Sequence, residues 1–162
     1  MEEINDIQNL EIASEGKQYI VVRLGTEFYG IDIKYVDNIV RNQRITRVPK
    51  AQRYFKGVIN LRGEIIPVMS LRLKFKLEPD EYTNATRIII IKLEPQSAIG
   101  INGDEVKEVV TLGGNSIEKA DTSDPSDPMI QYLSGIGKRS DGLISLLNIS
   151  AVIVGREGKD EV

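Results

Sequence analysis

Histidine, cysteine and tryptophan are all missing from this chain of 162 residues. Without them there is no Ser-His-Asp or Cys-His nucleophile pair, no His/Cys zinc site and no imidazole proton shuttle. Carboxylate, lysine or backbone chemistry is all that remains for catalysis. The lack of cysteine agrees with a reducing compartment. Long hydrophobic runs are missing too: none exceeds four residues, as in the isoleucines at 88–91, far too short to cross a bilayer. Residues 1–16 carry Glu2, Glu3, Asp6, Glu11 and Glu15 with no basic n-region, so they are not read as a signal peptide. The expectation is a cytoplasmic protein with no direct membrane insertion. Its length suits one domain or two closely packed half-domains with a real core.

Acidic residues are scarce between residues 41 and 76. Ten lysines and arginines meet a single acid there, Glu64, for a net +9; the eleven bases and 23 acids elsewhere give −12. Such asymmetry points to an acidic partner, whether protein surface, nucleic acid or phosphate. The first six bases recur every third residue, which on a helix spreads them around the axis and forms no stripe. A solvated basic half is the simpler reading.

What is present is a succession of short β-branched and aromatic segments between turn signals. Residues 17–24, 28–33, 57–61, 64–69, 87–93, 97–101, 106–112, 131–137 and 142–148 read as strands. Residues 34–40 are ambiguous, with helical apolar spacing but β-branched content. A short helical connector is expected over 49–55, with Pro49 at its first position, and a short helix over 71–75. About ten antiparallel strands predict an all-β protein built as two small barrels, whose closure hides strand edges. The ordered unit is expected over 17–154, flanked by tails at 1–16 and 155–162.

Motifs for chemistry fail on inspection. Gly135-Ile136-Gly137-Lys138 lacks the upstream glycine and following hydroxyl of a phosphate loop. Asp121, Asp124 and Asp127 have neither the spacing nor the central glycine of an EF-hand. Asn84-Ala85-Thr86 and Asn148-Ile149-Ser150 are sequons that need a secretory route. Asp32 reads as a solvent-facing strand residue or a turn acceptor. No metal site, no cofactor and no enzymatic activity are expected.

The most informative segment is Gly57-Val58-Ile59-Asn60-Leu61-Arg62-Gly63, an apolar strand running into a glycine-bounded turn with one arginine at its tip. Gly57 and Gly63 can take positive φ or close-approach positions, which would hold Arg62 where a partner can meet it. A hairpin with an incidental solvated arginine is the competing reading.

Together with Phe28-Tyr29-Gly30-Ile31-Asp32-Ile33, Arg47-Val48-Pro49, Glu64-Ile65-Ile66-Pro67-Val68 and Leu71-Arg72, this segment resembles the CheW family of chemotaxis coupling proteins. The likeness extends over residues 17–154. It implies two small SH3-like five-stranded β-barrel subdomains packed together, and a non-enzymatic adaptor that couples transmembrane chemoreceptors to the histidine kinase CheA in two-component signalling. The partners so implied are the kinase's regulatory domain and the receptor's cytoplasmic tip, with the protein monomeric when free and recruited from the cytoplasm to membrane receptor arrays. The implied receptor surface comprises Val36, Asn38, Ile39, Gly57, Asn60, Leu61 and Arg62. An apolar groove beside a protruding arginine would suit an amphipathic helix that brings apolar anchors and carboxylates.

The chain departs from the family pattern at Asn38, where many members carry an acid, at Ser70, where aspartate is usual, and at Gly103. Residues 113–128 match poorly, and no kinase-contacting residue is assigned. The alternative is a small β-barrel nucleic-acid-binding protein using residues 41–76. That would need aromatics interleaved for stacking, and only Tyr54, Phe55 and Phe75 qualify. Nucleic acid is therefore not expected as a partner.

Overall fold

The computed structural model describes residues 16–120 and 127–153. Eleven strands form two sheets. β1 (Lys17–Leu24) and β2 (Glu27–Asp32) make a hairpin, and a 3₁₀ turn at Ile33–Tyr35 leads into β3 (Val36–Arg41). Then follow β4 (Phe55–Leu61), β5 (Glu64–Ser70), a short helix α1 (Leu71–Lys74), β6 (Arg87–Glu94), β7 (Ser97–Gly103) and β8 (Glu105–Leu112). The chain continues through β9 (Ile117–Lys119), β10 (Leu133–Arg139) and β11 (Gly142–Leu147) to a terminal turn of helix, α2 (Ile149–Ile153).

The sheets are not successive halves of the chain. One runs β3-β6-β7-β5-β4; the other, β8-β1-β2-β11-β10-β9, takes in the N-terminal hairpin. Each contains one parallel contact, Val68↔Gly100 between β5 and β7 and Ser145↔Tyr29 between β11 and β2. The expectation of purely antiparallel strands is corrected on this point, and the second sheet has six strands because the three-residue β9 joins it.

Burial explains the apolar runs. Along β6, Ile88 and Ile90 face a cluster inside the five-stranded sheet with Ile59, Ile66 and Val68, whereas Ile89 and Ile91 face the core between the sheets. β1 divides the same way: Tyr19 and Val21 point into the six-stranded sheet, and Ile20, Val22 and Leu24 into the inter-sheet core. Alternate side chains point to opposite faces, so a strand buried on both faces must be apolar at every position.

Two expectations fail locally. Residues 49–55 form no helix: Lys50 takes φ 62° directly after Pro49, which reverses the chain, and only the single turn from the Phe55 amide to the Gln52 carbonyl follows. Residues 34–40 resolve as a 3₁₀ turn and then strand, because the Asp32 carboxylate accepts from the Lys34 amide and caps the turn before β3 begins. The helix expected at 71–75 is present over Leu71–Lys74, its start capped by the Ser70 hydroxyl accepting from the Leu73 amide at 3.1 Å. Of the expected tail 1–16, Gly16 is packed against the Leu112 carbonyl; the rest, with Asp121, Asp124 and residues 155–162, lies outside the described residues.

One charged cluster ties the sheets together. Arg72 on α1 donates from Nε to Asp104 Oδ1 at 2.8 Å and pairs with Oδ2 through its other arm, while the Gly25 amide donates to Oδ2 at 2.8 Å and Arg23 stands 3.7 Å away. Burial alone would push the Asp104 carboxyl up. The hydrogen bonds from Arg72 and Gly25 and the charges of Arg72 and Arg23 outweigh burial and hold it below its ordinary value.

Candidate protein-docking surface

The β4–β5 hairpin closes over two residues, since Leu61 pairs with Glu64. Arg62 and Gly63 have φ of 54° and 84°, the pair of positive values that a type I′ turn requires. The Asn60 side chain fixes the tip by accepting from the Gly63 amide at 3.0 Å. Arg62 is exposed and makes no ion pair or side-chain hydrogen bond among the described residues. The sequence expectation of a presented arginine therefore has its geometric counterpart.

Gly57 works from beneath. It is buried, with φ 141°, and a Cβ there would lie 2.1 Å from the Thr46 carbonyl oxygen. The missing side chain lets the β3–β4 connector cross β4, where Thr46 and Val58 exchange two backbone hydrogen bonds of 2.8 Å. Lys56 is the extra residue of a bulge beside it, because Phe55 pairs with Met69 and Gly57 with Val68.

β3 contributes the apolar part. Val36 and Ile39 are half-buried against the rim of the inter-sheet core, in the company of Leu93, Ile99 and Ile153. Those last three line a shallow cleft of about 240 Å³. Asn38 sits between Val36 and Ile39, its Oδ1 accepting from the Ile39 amide at 2.9 Å. Asp37 is bulged out toward Lys92, at 3.9 Å.

The seven expected residues do not form one flat patch. β3 and β4 are the opposite edges of their sheet, brought round by the Thr46–Val58 bridge and by Val40, Ile45 and Leu61, which share the inner cluster. Leu61 thus packs inward, Val36 and Ile39 rim the inter-sheet core, and Arg62 crowns the hairpin. Leu93, Ile99 and Ile153 are additions that the sequence reading did not single out. Alternation within β6 and β7 marks the first two only as apolar strand positions.

Nothing at this surface resembles a reaction centre. Among the described residues no group of three or more acids could hold a metal. Gly135 and Gly137 lie in β10, where a Cβ would collide with the Glu118 carbonyl and Leu112, so their smallness serves packing.

Comparison with known proteins gives this surface its context. The family model described as the CheW-like domain matches residues 18–157. The chain is 34% identical over 138 residues to the chemotaxis protein CheW of Bacillus subtilis, covering 85% of this chain and 87% of that protein. It is 32% identical over 145 residues to the chemotaxis protein CheW of Klebsiella aerogenes, covering 88% and 84%. The crystal structure of the scaffolding protein TtCheW from Thermoanaerobacter tengcongensis matches with a TM-score of 0.77 at 33% identity, over 88% of this chain and 97% of that one. With fold, motif and sequence in agreement over most of its length, the chain belongs to the CheW-like family of chemotaxis proteins.

Proposed function

We propose that this protein is a non-enzymatic adaptor that couples chemoreceptors to the histidine kinase CheA, receiving the receptor's helical tip on the β3 rim and the β4–β5 hairpin. The observation that carries this reading is Arg62, an exposed guanidinium at positive φ on the tip of the β4–β5 hairpin, with no ion pair or side-chain hydrogen bond among the described residues, in the same sheet whose β3 edge carries the half-buried Val36 and Ile39. A fork of donors on the hairpin and half-buried aliphatic side chains on β3 supply the two kinds of contact that an amphipathic helix with carboxylates flanking its apolar face would use. In this reading Asn60 and Gly57 shape the turn, and Asn38, Val36, Ile39 and Leu61 supply or support the ledge. No helix among the described residues is long and apolar enough to cross a membrane, so the protein would reach receptor arrays through its partners.

The test is reconstitution of kinase, receptor cytoplasmic fragments and this protein. Arg62→Ala should weaken receptor binding by about thirtyfold, corresponding to about 2 kcal/mol for one hydrogen-bonded interfacial charge, and leave the kinase unstimulated by receptor. Unchanged receptor-stimulated kinase activity would move the receptor surface elsewhere. The protein alone should neither hydrolyse nor label itself from ATP.

A further inference from the structure

The docking surface above leaves most of the basic segment unused, and the fold gathers five of its ten cations along a trough. A cavity of about 540 Å³ is walled by Arg47, Arg53 and Lys56 with Tyr82 at its side. A second, of about 730 Å³, runs from Arg53 past Lys74 and Lys76 to Gln131. Arg53 lines both, so the two adjoin. Among the described residues Glu78 is the one carboxylate along this trough, against five cations. Arg47, Arg53, Lys56 and Lys76 make no ion pair among the described residues.

The floor is aromatic and already occupied. Lys74 is only 5% exposed, its Nζ lying 4.0 Å from the Tyr54 ring centroid and 5.8 Å from that of Tyr132. Lys56 stands over Tyr82 at 5.9 Å. Clustered like charges repel, and an anionic partner relieves that repulsion. Guanidinium groups bind carboxylates in a two-point fork, and Leu73 and Leu77 along the same cavity offer contact to apolar side chains.

We propose that this trough binds an acidic peptide segment of a partner protein, laid across Arg53 with its carboxylates on Arg47, Arg53, Lys56 and Lys76. A single-stranded nucleic acid fits less well. It needs free ring faces on which to stack bases, but here Tyr54 and Tyr132 are buried and the faces of Tyr54 and Tyr82 carry the protein's own lysines. The net −12 outside residues 41–76 also repels a long polyanion more than a short segment.

The experiment titrates the full chain against a short fluorescein-labelled peptide of glutamates with interspersed leucines, beside a lysine-for-glutamate version and an oligothymidylate, at several salt concentrations. Saturable binding of the acidic peptide is expected, weakening with salt and falling about tenfold or more in Arg53→Glu and, separately, in Lys76→Glu. Arg62→Ala should stay within about twofold of the parent, which separates this site from the receptor surface, and Arg53→Lys, which keeps the charge but loses the fork, should weaken binding less than Arg53→Glu does. Circular dichroism melting identifies any variant that fails to fold, and Lys56→Glu then takes its place. Absence of peptide binding, binding indifferent to the charge reversals, equal loss in Arg62→Ala, or tighter binding of the oligothymidylate would each overturn the proposal.

Discussion

Gly57 and Arg62 are five positions apart, yet they answer to different forces. At Gly57 the constraint is steric: a methyl group would meet the Thr46 carbonyl oxygen at 2.1 Å on a backbone already at φ 141°. The Thr46–Val58 bridge and the bulge at Lys56 both depend on that approach. Gly57→Ala is therefore expected to destabilise by more than about 2 kcal/mol, through backbone strain and loss of the crossing; a urea midpoint within error of the parent would show that the connector yields. At Arg62 no ion pair or side-chain hydrogen bond among the described residues holds the side chain, and its positive φ is a cost borne by a residue with a Cβ. Asparagine tolerates that conformation better and Asn-Gly is the preferred type I′ pair. Arg62→Asn should accordingly raise stability by up to about 1 kcal/mol while removing the charge that the receptor surface requires. Gain of stability with loss of coupling in one variant separates a presented residue from a structural one.

At the level of single elements, β6 shows what the sequence can and cannot convey. Its four consecutive isoleucines are legible as a buried strand, but not which face each one serves, because alternation is invisible when both faces are apolar. The structure divides them between two clusters, with none more than 1% exposed. Ile88→Ala and Ile89→Ala should then each cost about 2–5 kcal/mol, as expected for emptying a packed site. If either were tolerated, the strand would bury one face only. The β4–β5 hairpin was readable because glycines bracket it, and the short helix expected over 71–75 is present as α1. The connector at 49–55 was not legible: proline is compatible with a helix start, and nothing local announces that Lys50 adopts positive φ. β9 escaped notice because three residues, Ile117–Lys119, carry too little periodicity to register. The candidate ledge was half legible: Val36 and Ile39 came through family resemblance, while Leu93, Ile99 and Ile153 converge only through tertiary packing.

Across the whole molecule, the arrangement depends on keeping two sheets in register although each draws strands from distant parts of the chain. The apolar inter-sheet core supplies most of the attraction, but it is non-directional. Direction comes from Asp104, which sits at the β7–β8 crossing between sheets and receives Arg72 from one side and Arg23 and the Gly25 amide from the other. With side chains 16% and 13% exposed, Arg72 and Asp104 lie between the surface and buried regimes of ion pairing. Asp104→Asn, which removes the carboxylate that Arg72 and Arg23 share and leaves Arg72 only the more distant Asp80 and Glu81, is thus expected to cost about 2 kcal/mol near neutral pH. The pH dependence has a definite sign. The folded carboxyl titrates below its ordinary value of 3.8, so the unfolded chain takes up this proton first as pH falls. The stabilisation is therefore complete above 3.8 and disappears as pH drops from there through the lowered folded value. Urea unfolding of the parent and Asp104→Asn should give curves well separated at neutral pH that converge in acid. A gap that stayed constant down to the acid limit would mean that the substitution acts through packing, and that the charge cluster does not set the register of the sheets.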